Sequence, residues 1–316
     1  MAYIWLSAGF ILLIAGANYF VDGSSKIAAF LRVPPILIGL TIVAFGTGSP
    51  EAMVSIMAAI EGNAGMSLGN VIGSNVFNTT LVIGVTAIIM AIRVESETIR
   101  KEIPFTLLAT TALLVMISDR TLQGHDVNVI TRGDGILLLL LFSIFMYYIF
   151  EAAKNSREAN TVEQETGTKA SWMKYTLISV VGLAAIIFGG QLVVTNSTTI
   201  ALELGMTQTM VGLTIVALGT SLPELVTSVA AALKKQNEIA VGNVVGSNIF
   251  NLLFVVGVSS MITPMEPEAK IGTDVWMLIF LTLLLLIVSR TQYKVGRIEG
   301  ILLVIGYAAF MVYVIM

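Results

Sequence analysis

Residues 39–51 read GLTIVAFGTGSPE, and residues 212–224 read GLTIVALGTSLPE, which is identical at 10 of 13 positions. A second pair, GNVIGSNVFN at residues 69–78 and GNVVGSNIFN at residues 242–251, is identical at 8 of 10 positions. Both pairs are separated by the same 173 residues, from 39 to 212 and from 69 to 242. Two matches in one register indicate that the chain is an internal duplication.

The composition places this duplicated chain in a membrane. Of its 316 residues, 56% are hydrophobic and 12% are charged, whereas soluble domains carry about 25% charged residues. The charges gather in short patches between apolar stretches of about 20 residues, the length that crosses a hydrocarbon core. Backbone groups in a membrane must be paired internally, which leaves helices or a closed barrel. Runs such as Leu137–Leu141 and Leu283–Leu286 lack the alternation of barrel strands, so the pattern predicts an all-α membrane protein.

The apolar stretches predict ten transmembrane helices. They lie near residues 4–29, 36–60, 67–91, 103–118, 133–152, 173–202, 208–233, 240–263, 273–289 and 298–315. The first stretch has no basic leader and no cleavage pattern, so we expect a retained span. Because each half has an odd number of spans, the second copy enters from the opposite face. We therefore expect two inverted five-helix repeats, residues 1–152 and 173–316, joined by a polar linker at 153–172.

The basic residues predict the orientation. With ten spans, one side of the membrane holds 14 of the 17 lysine and arginine residues, and the other holds only Arg120, Arg132 and Lys270. Cytoplasmic loops carry the excess of positive charge. The sequence therefore predicts a multi-pass protein of the plasma membrane, with both termini extracytoplasmic and the linker cytoplasmic.

Several classes of function have no support in the sequence. No basic patch with interleaved aromatic residues is present, so nucleic-acid binding is not expected, and no obligate protein partner is evident. The chain has no cysteine, which excludes a disulfide scaffold and thiolate metal sites. No nucleophile–base pair appears either, so we do not expect an enzyme, and we expect no cofactor.

Two acidic residues stand inside apolar spans. Glu51 and Glu224 end the first pair of matching segments, and an acid at such depth costs about 2.5–3.5 kcal/mol on insertion scales. No lysine or arginine lies mid-span to neutralise them, so the predicted partner is a bound cation. Thr47 and Thr220 precede the glutamates by four residues and share their helical face. The alternative is a protonated glutamate that is hydrogen-bonded within the bundle.

A proline precedes each glutamate. Pro50 and Pro223 lack an N–H group and should free the carbonyls of Gly46 and Gly219, four residues earlier. Broken helices at membrane depth are tolerated where they line a cavity, and their free carbonyls can bind cations. A plain proline kink without a site is the alternative.

The second motif supplies a polar stripe in each half. Its members recur at intervals of four residues: Asn70, Ser74 and Asn78, then Asn243, Ser247 and Asn251. Ca²⁺ takes six to eight oxygen ligands from carboxylates, amides, carbonyls and water, and the absence of histidine and cysteine from the set disfavours zinc and copper. Helix packing through the Gly-x-x-x-Gly pairs at Gly69 and Gly242 is the alternative, and both interpretations can hold together.

At these motifs the sequence resembles the cation/calcium exchanger superfamily, and within it the prokaryotic sodium/calcium exchangers. The GT-x-x-PE and GN-x-x-GSN-x-x-N repeats are similar to the two repeats of that family, and the likeness covers the whole chain. The resemblance implies that Glu51 and Glu224 hold Ca²⁺ together with the carbonyls of Thr47 and Thr220. It implies that Na⁺ is held at overlapping positions by the carbonyls of Ala44 and Ala217, by Ser74, Ser247 and Ser221, and by the same glutamates. Asn78 and Asn251 would lie between these positions.

The sequence departs from the family pattern at two places. Gly48 stands where the second half has Ser221, and the serine of the first half is displaced to Ser49. Asn251 stands where some members carry an aspartate. The fixed charge of the predicted site therefore rests on two glutamates, which balance one Ca²⁺ or about two monovalent ions.

The predicted function is secondary antiport of Ca²⁺ against Na⁺ by alternating access, with Ca²⁺, Na⁺ and membrane lipid as the partners. Ca²⁺/H⁺ antiport is the nearest alternative because two close carboxylates can also exchange protons, and K⁺-dependent Na⁺/Ca²⁺ exchange is another. A channel with a carboxylate filter belongs to a different class and predicts flux without a counter-ion.

Overall fold

The computed structural model describes residues 1–124, 126–159, 169–206 and 217–315, and this part of the chain is almost wholly helical. The helices are α1 Ala2–Leu31, α2 Pro35–Thr47, α3 Ser49–Ile60, α4 Ala64–Ile89, α5 Ser96–Arg100, α6 Glu102–Met116, α7 Asp119–Leu122, α8 Arg132–Ala159, α9 Lys169–Glu203, α10 Ala217–Thr220, α11 Leu222–Leu233, α12 Asn237–Ile262, α13 Ala269–Gln292 and α14 Arg297–Ile315. Two short strands, β1 Ile92–Arg93 and β2 Lys294–Val295, pair antiparallel. The all-α prediction is confirmed.

Seven helices of the described residues are long and apolar enough to cross a membrane: α1, α4, α8, α9, α12, α13 and α14. The bent pair α2 and α3 raises the number to eight when it is taken as one span. The predicted span at 103–118 corresponds to α6, which has 15 residues, and the predicted span at 208–233 begins among residues that the structure does not describe. The count of ten therefore stays a prediction.

The predicted linker at 153–172 is partly helical. Helix α8 continues through Ala159, and α9 begins at Lys169, while residues 160–168 lie outside the described residues. Residues 153–159 of this segment read AKNSREA, and alanine, lysine, arginine and glutamate all favour a helix. The helix therefore continues beyond the predicted end of the fifth span, whose boundary in the membrane stays a prediction.

The duplication is visible in the helix boundaries. Helix α3 at Ser49–Ile60 corresponds to α11 at Leu222–Leu233, with both ends displaced by 173 residues. The same displacement relates α4 at Ala64–Ile89 to α12 at Asn237–Ile262. The two matching sequence motifs thus fold into the same pairs of helices.

Glycine lets α2 of the first half cross α12 of the second at very short range. A Cβ atom added to Gly246 would lie 2.6 Å from the carbonyl oxygen of Leu40, and one added to Gly242 would lie 2.9 Å from the Cα of Gly39. Any larger side chain would force these backbones apart. The packing interpretation of the glycine pairs therefore holds in the second half, whereas Gly69 and Gly73 meet no close neighbour among the residues that the structure describes, which exclude 207–216.

A second close pair consists of α1 and α9, which run antiparallel. A Cβ atom on Gly16 would lie 2.8 Å from the carbonyl oxygen of Gly182, and one on Gly189 would lie 2.8 Å from the backbone nitrogen of Leu13. The pair also reaches α11, because Lys234 just after that helix lies 2.7 Å from the Asp22 carboxylate on α1. Helices α1 and α9 therefore pack as one unit against the helices of the motifs.

Candidate functional site

Each glutamate stands directly after a break in its helix. Gly48 (φ −78°, ψ 0°) separates α2 from α3, whose axes differ by 52°, and Ser221 (φ −92°, ψ 4°) separates α10 from α11. The prolines occupy the first turns of the new helices, where a missing N–H costs nothing. Glu51 and Glu224 follow in the same first turns, where the helix dipole favours negative charge.

The two carboxylates are fully buried and meet across the two halves of the chain. Glu51 and Glu224 are each 0% exposed, and all four of their carboxylate oxygens lack a hydrogen-bond partner. A Cβ atom added to Gly48 would lie 3.6 Å from Glu224 Oε1, so the second carboxylate lies beside the helix break of the first half. The two groups are close enough for their charges to interact.

Within the described ranges, no buried cation of the protein balances these acids. The buried polar side chains in the described part of the chain are serine, threonine, asparagine and glutamate, without a lysine, arginine or histidine. Glu102, the third buried glutamate, accepts a hydrogen bond from the Tyr148 hydroxyl. Among the described residues, Glu51 and Glu224 are therefore the two buried acids that have only neutral hydroxyl groups and no cation beside their oxygens, which is the pattern expected of cation ligands.

Two asparagines add unpartnered amides. Asn78 and Asn251 are each 1% exposed, and neither their amide oxygens nor their amide nitrogens have a partner among the residues that the structure describes. Both lie in π-helical turns, at Asn78–Val82 and Phe250–Val255, and such turns occur frequently at functional sites. An amide left without a partner in a core costs free energy, so these side chains are available to a ligand.

The hydroxyl groups around the carboxylates have different roles. Ser221 is 0% exposed and its hydroxyl has no partner, although it stands beside Glu51. The Ser247 hydroxyl stands beside Glu224 and donates to the carbonyl of Ala44 at 3.3 Å. This bond joins two residues that the family resemblance assigns to Na⁺ from opposite halves of the chain.

The other predicted site residues lie on the same elements. Thr47 ends α2 and is fully buried, and Ser74 is 4% exposed on α4, one turn before Asn78. Ala217 and Thr220 begin and end the short helix α10, directly before the second break. The structure thus brings together predicted residues from both halves, on α2, α3, α4, α10, α11 and α12.

One expectation about the first break is wrong. The carbonyl that Pro50 was expected to free, that of Gly46, accepts the hydroxyl of Ser49 at 2.7 Å. The Ser49 side chain is thereby used locally and does not replace the hydroxyl that Gly48 lacks. A serine can satisfy a nearby carbonyl three residues back, and the sequence alone did not distinguish this from a ligand role.

Sequence reasoning also missed Ser55 and Ser228. Each follows its glutamate by four residues, and each accepts a hydrogen bond from an asparagine of the neighbouring helix, at 2.8 Å from Asn70 and 2.9 Å from Asn243. Their equivalent positions in the two repeats were the signal that could have identified them.

Outside the spans, the loop after β1 carries a perturbed acid. Burial, followed by the charges of Glu238 and Glu97, raises the pKa of Glu95 above its ordinary value. Glu238 in turn accepts the backbone N–H of Ile36 at 3.3 Å. Glu95 is a partly solvated loop residue whose acidic neighbours, Glu97 on α5 and Glu238 on α12, are outside the candidate site.

The donor set of the site is that of a hard cation. Carboxylate, amide, hydroxyl and carbonyl oxygens suit Ca²⁺ and Na⁺. Within the described ranges, no group of three or more histidine, cysteine, aspartate or glutamate side chains is placed to hold a metal ion. The ions that fit here are therefore ones that two carboxylates and neutral oxygens can balance.

Comparison with known proteins agrees with this donor set. The model of the sodium/calcium exchanger protein family matches residues 1–151 and 174–316. The putative antiporter CaxA of Alkalimonas amylolytica is 39% identical over 98% of this chain and 97% of its own, and the sodium/calcium exchanger MaX1 of Methanosarcina acetivorans is 31% identical over 98% and 97%. A structure of the sodium-calcium exchanger NCX_Mj, soaked with 10 mM Na⁺ and zero Ca²⁺, superposes with a TM-score of 0.85 and 32% identity over 98% of both chains. The chain belongs to the sodium/calcium exchanger family.

Proposed function

We propose that the protein is a secondary antiporter that exchanges Ca²⁺ for Na⁺ across the plasma membrane by alternating access. The observation that carries this proposal is the pair of buried carboxylates, Glu51 and Glu224, which have no protein partner and face each other from the two repeats. Relatives along the full chain are named as sodium/calcium exchangers, which favours Na⁺ over H⁺ as the coupling ion.

Ca²⁺ would be held between the two carboxylates, with the backbone carbonyls of Thr47 and Thr220 completing the shell. Na⁺ would use overlapping positions that include the Ala44 and Ala217 carbonyls. The further Na⁺ ligands in this proposal are Ser74, Ser221, Ser247 and the same glutamates, with Asn78 and Asn251 between the ion positions. The unpartnered Ser221 hydroxyl and the two unpartnered amides support this assignment.

Competition for two carboxylates explains why the fluxes are coupled. A bound Ca²⁺ or a set of Na⁺ ions removes the repulsion between the two buried acids, so the loaded protein can change between its outward and inward forms. An empty site leaves two like charges in a medium of low dielectric constant, which is unfavourable. The empty protein should therefore resist the change between its outward and inward forms.

We further propose ten spans in two inverted repeats, with both termini extracytoplasmic. Contacts between loops support this arrangement. The β1–β2 pair joins two loops that the proposal puts in the cytoplasm, and the backbone bridge between Ile130 and Met265 joins two loops that it puts outside.

The moving part in this proposal is the pair α1 and α9, which slides against the other eight spans. Helix α9 lies directly over both helix breaks: Leu183 packs against Gly46, and Val194 packs against Gly219. A displacement of the pair would therefore uncover the site without rebuilding it.

The decisive experiment imposes one ion gradient at a time on Ca²⁺-loaded proteoliposomes. Ca²⁺ efflux driven by external Na⁺ at equal pH supports the proposal, and addition of K⁺ tests whether a third ion is required. Efflux that follows a pH gradient and ignores Na⁺ would instead identify Ca²⁺/H⁺ antiport. Efflux without any counter-ion would identify a channel.

A further inference from the structure

The polar stripe of each repeat contains two kinds of asparagine. Asn78 and Asn251, described above, have no protein partner at either amide atom. Asn243, two turns before Asn251, has protein partners at both ends of its amide. The donors and the acceptor of such a side chain are all hydrogen-bonded to the protein, so none of its atoms is free to bind an ion. Its role is therefore to position the groups that it bonds.

Asn243 holds the first turn of the helix that carries Glu224. Its amide nitrogen lies 3.2 Å from the backbone carbonyl oxygen of Glu224 and 2.9 Å from the hydroxyl of Ser228. The carbonyl can only accept, so the amide nitrogen must face it and the amide oxygen must face away. That oxygen lies 2.9 Å from the hydroxyl of Thr47, at the break of the other repeat.

The same clamp exists in the first repeat. The amide nitrogen of Asn70 lies 3.2 Å from the Glu51 carbonyl oxygen and 2.8 Å from the Ser55 hydroxyl. The spacing is identical, since each asparagine follows its glutamate by 19 residues. Recurrence of one geometry in both halves argues that the bonds have a role in the site.

We propose that Asn70 and Asn243 are positioning residues that fix the register between the helix bearing each glutamate and the helix bearing the serine and asparagine of the same repeat. Asn243 stands one turn before Ser247 and two turns before Asn251. Its amide nitrogen donates to the backbone carbonyl of Glu224 on the other helix. The clamp thus sets the distance between the carboxylate and the neutral ligands of its half-site. This inference rests on the proposed exchange function.

The test is the ion dependence of transport in Asn243→Ala, measured as Na⁺-driven Ca²⁺ flux in proteoliposomes. Ca²⁺ needs several oxygens at once within a narrow range of distances, so we expect the KM for Ca²⁺ to rise about tenfold or more, as for other groups that orient metal ligands. The flux at saturating Ca²⁺ should change much less, because the carboxylates remain. The stabilisation that saturating Ca²⁺ gives to the purified protein against heat should also shrink, by about 1.4 kcal/mol for a tenfold loss of affinity.

The controls separate positioning from folding. Asn75→Ala removes an equally buried asparagine from α4 whose amide bonds only its own helix, at the Val71 carbonyl, and it should leave the KM for Ca²⁺ unchanged. Ser228→Ala removes one acceptor and keeps the bond to Glu224, so its effect should be smaller than that of Asn243→Ala. If Asn243→Ala does not fold, Asn70→Ala, at a partly buried position, provides the same test in the first repeat.

A KM for Ca²⁺ that is unchanged in both Asn243→Ala and Asn70→Ala, with exchange intact, would overturn the positioning role alone. An equal loss of thermal stability with and without Ca²⁺, without a change in KM, would also overturn it. A wild-type protein without Na⁺-driven Ca²⁺ flux would instead refute the exchange function on which the inference rests.

Discussion

Replacement of Glu51 by glutamine removes one of the two charges that the site offers to a divalent ion. The side chain is 0% exposed, its two oxygens have no protein partner, and the described residues contain no buried lysine, arginine or histidine that could rearrange to compensate. Removing one partner of a buried charge pair typically costs about 3–5 kcal/mol. We therefore expect Glu51→Gln to weaken Ca²⁺ binding by between roughly 10²-fold and several thousandfold, since about 1.4 kcal/mol corresponds to a factor of ten.

The assay is uptake of radioactive Ca²⁺ into Na⁺-loaded proteoliposomes over a series of Ca²⁺ concentrations. The matched control is Glu102→Gln, because Glu102 is also a buried glutamate, 3% exposed, but its carboxylate is bonded to Tyr148. This control should keep the wild-type dependence on Ca²⁺. A Glu51→Gln protein that exchanges Ca²⁺ at nearly the wild-type rate and concentration would refute the ion-binding role of the carboxylate pair.

Three further outcomes follow from the structure. Gly48→Ser places a hydroxyl beside Glu224, at a backbone conformation that serine already adopts in the other repeat. The Na⁺ concentration for half-maximal exchange should fall by roughly fivefold, the effect of about one hydrogen bond. An unchanged Na⁺ dependence would contradict this expectation. Asp22→Asn breaks the ion pair to Lys234, and because such a partly exposed pair contributes at most about 1 kcal/mol, turnover should change by less than about fivefold while the KM for Ca²⁺ stays constant. The pKa of Glu95 is raised in the folded protein, so the folded state binds a proton at this group more tightly than the unfolded state does. The group therefore lowers the stability of the fold as the pH rises above the ordinary pKa of glutamate. Glu95→Gln should therefore melt at a higher temperature than the wild type near neutral pH and at the same temperature near about pH 4; an equal difference at both values would contradict this.

The helical architecture could be predicted because local features of the sequence, apolar stretches and prolines, indicate where helices run and where they break. Proline before Glu51 and Glu224 predicted the broken helices, and the two matching motifs predicted that both halves would repeat the same pair of elements. Segment ends were less certain. Helix α8 runs to Ala159 because its polar residues are good helix formers, so the membrane boundary and the helix boundary are different places.

Within the site, the sequence predicted which residues share a face and could not predict which neighbour each one meets. Helical spacing put Asn70, Ser74 and Asn78 on one stripe, yet Asn70 bonds the adjacent helix while Asn78 has no partner. A π-helical turn then begins at Asn78, and its extra residue rotates the helix face that follows the stripe. Such a turn has no evident signal in a single sequence.

Besides the asparagine bonds within each repeat, several contacts around the carboxylates join the two repeats. Ser247 of the second half donates to the Ala44 carbonyl of the first, Thr47 of the first meets Asn243 of the second, and Glu224 lies beside the first break. All of these residues belong to helices that the proposed sliding of α1 and α9 leaves in place. A site that is built across the repeat boundary can then keep its ligands at constant distances while access to it changes. The ion's contribution to the cycle is therefore electrostatic: it balances the two acids before the covering pair moves, and the protein need not reshape the ligand shell to release it on the other side.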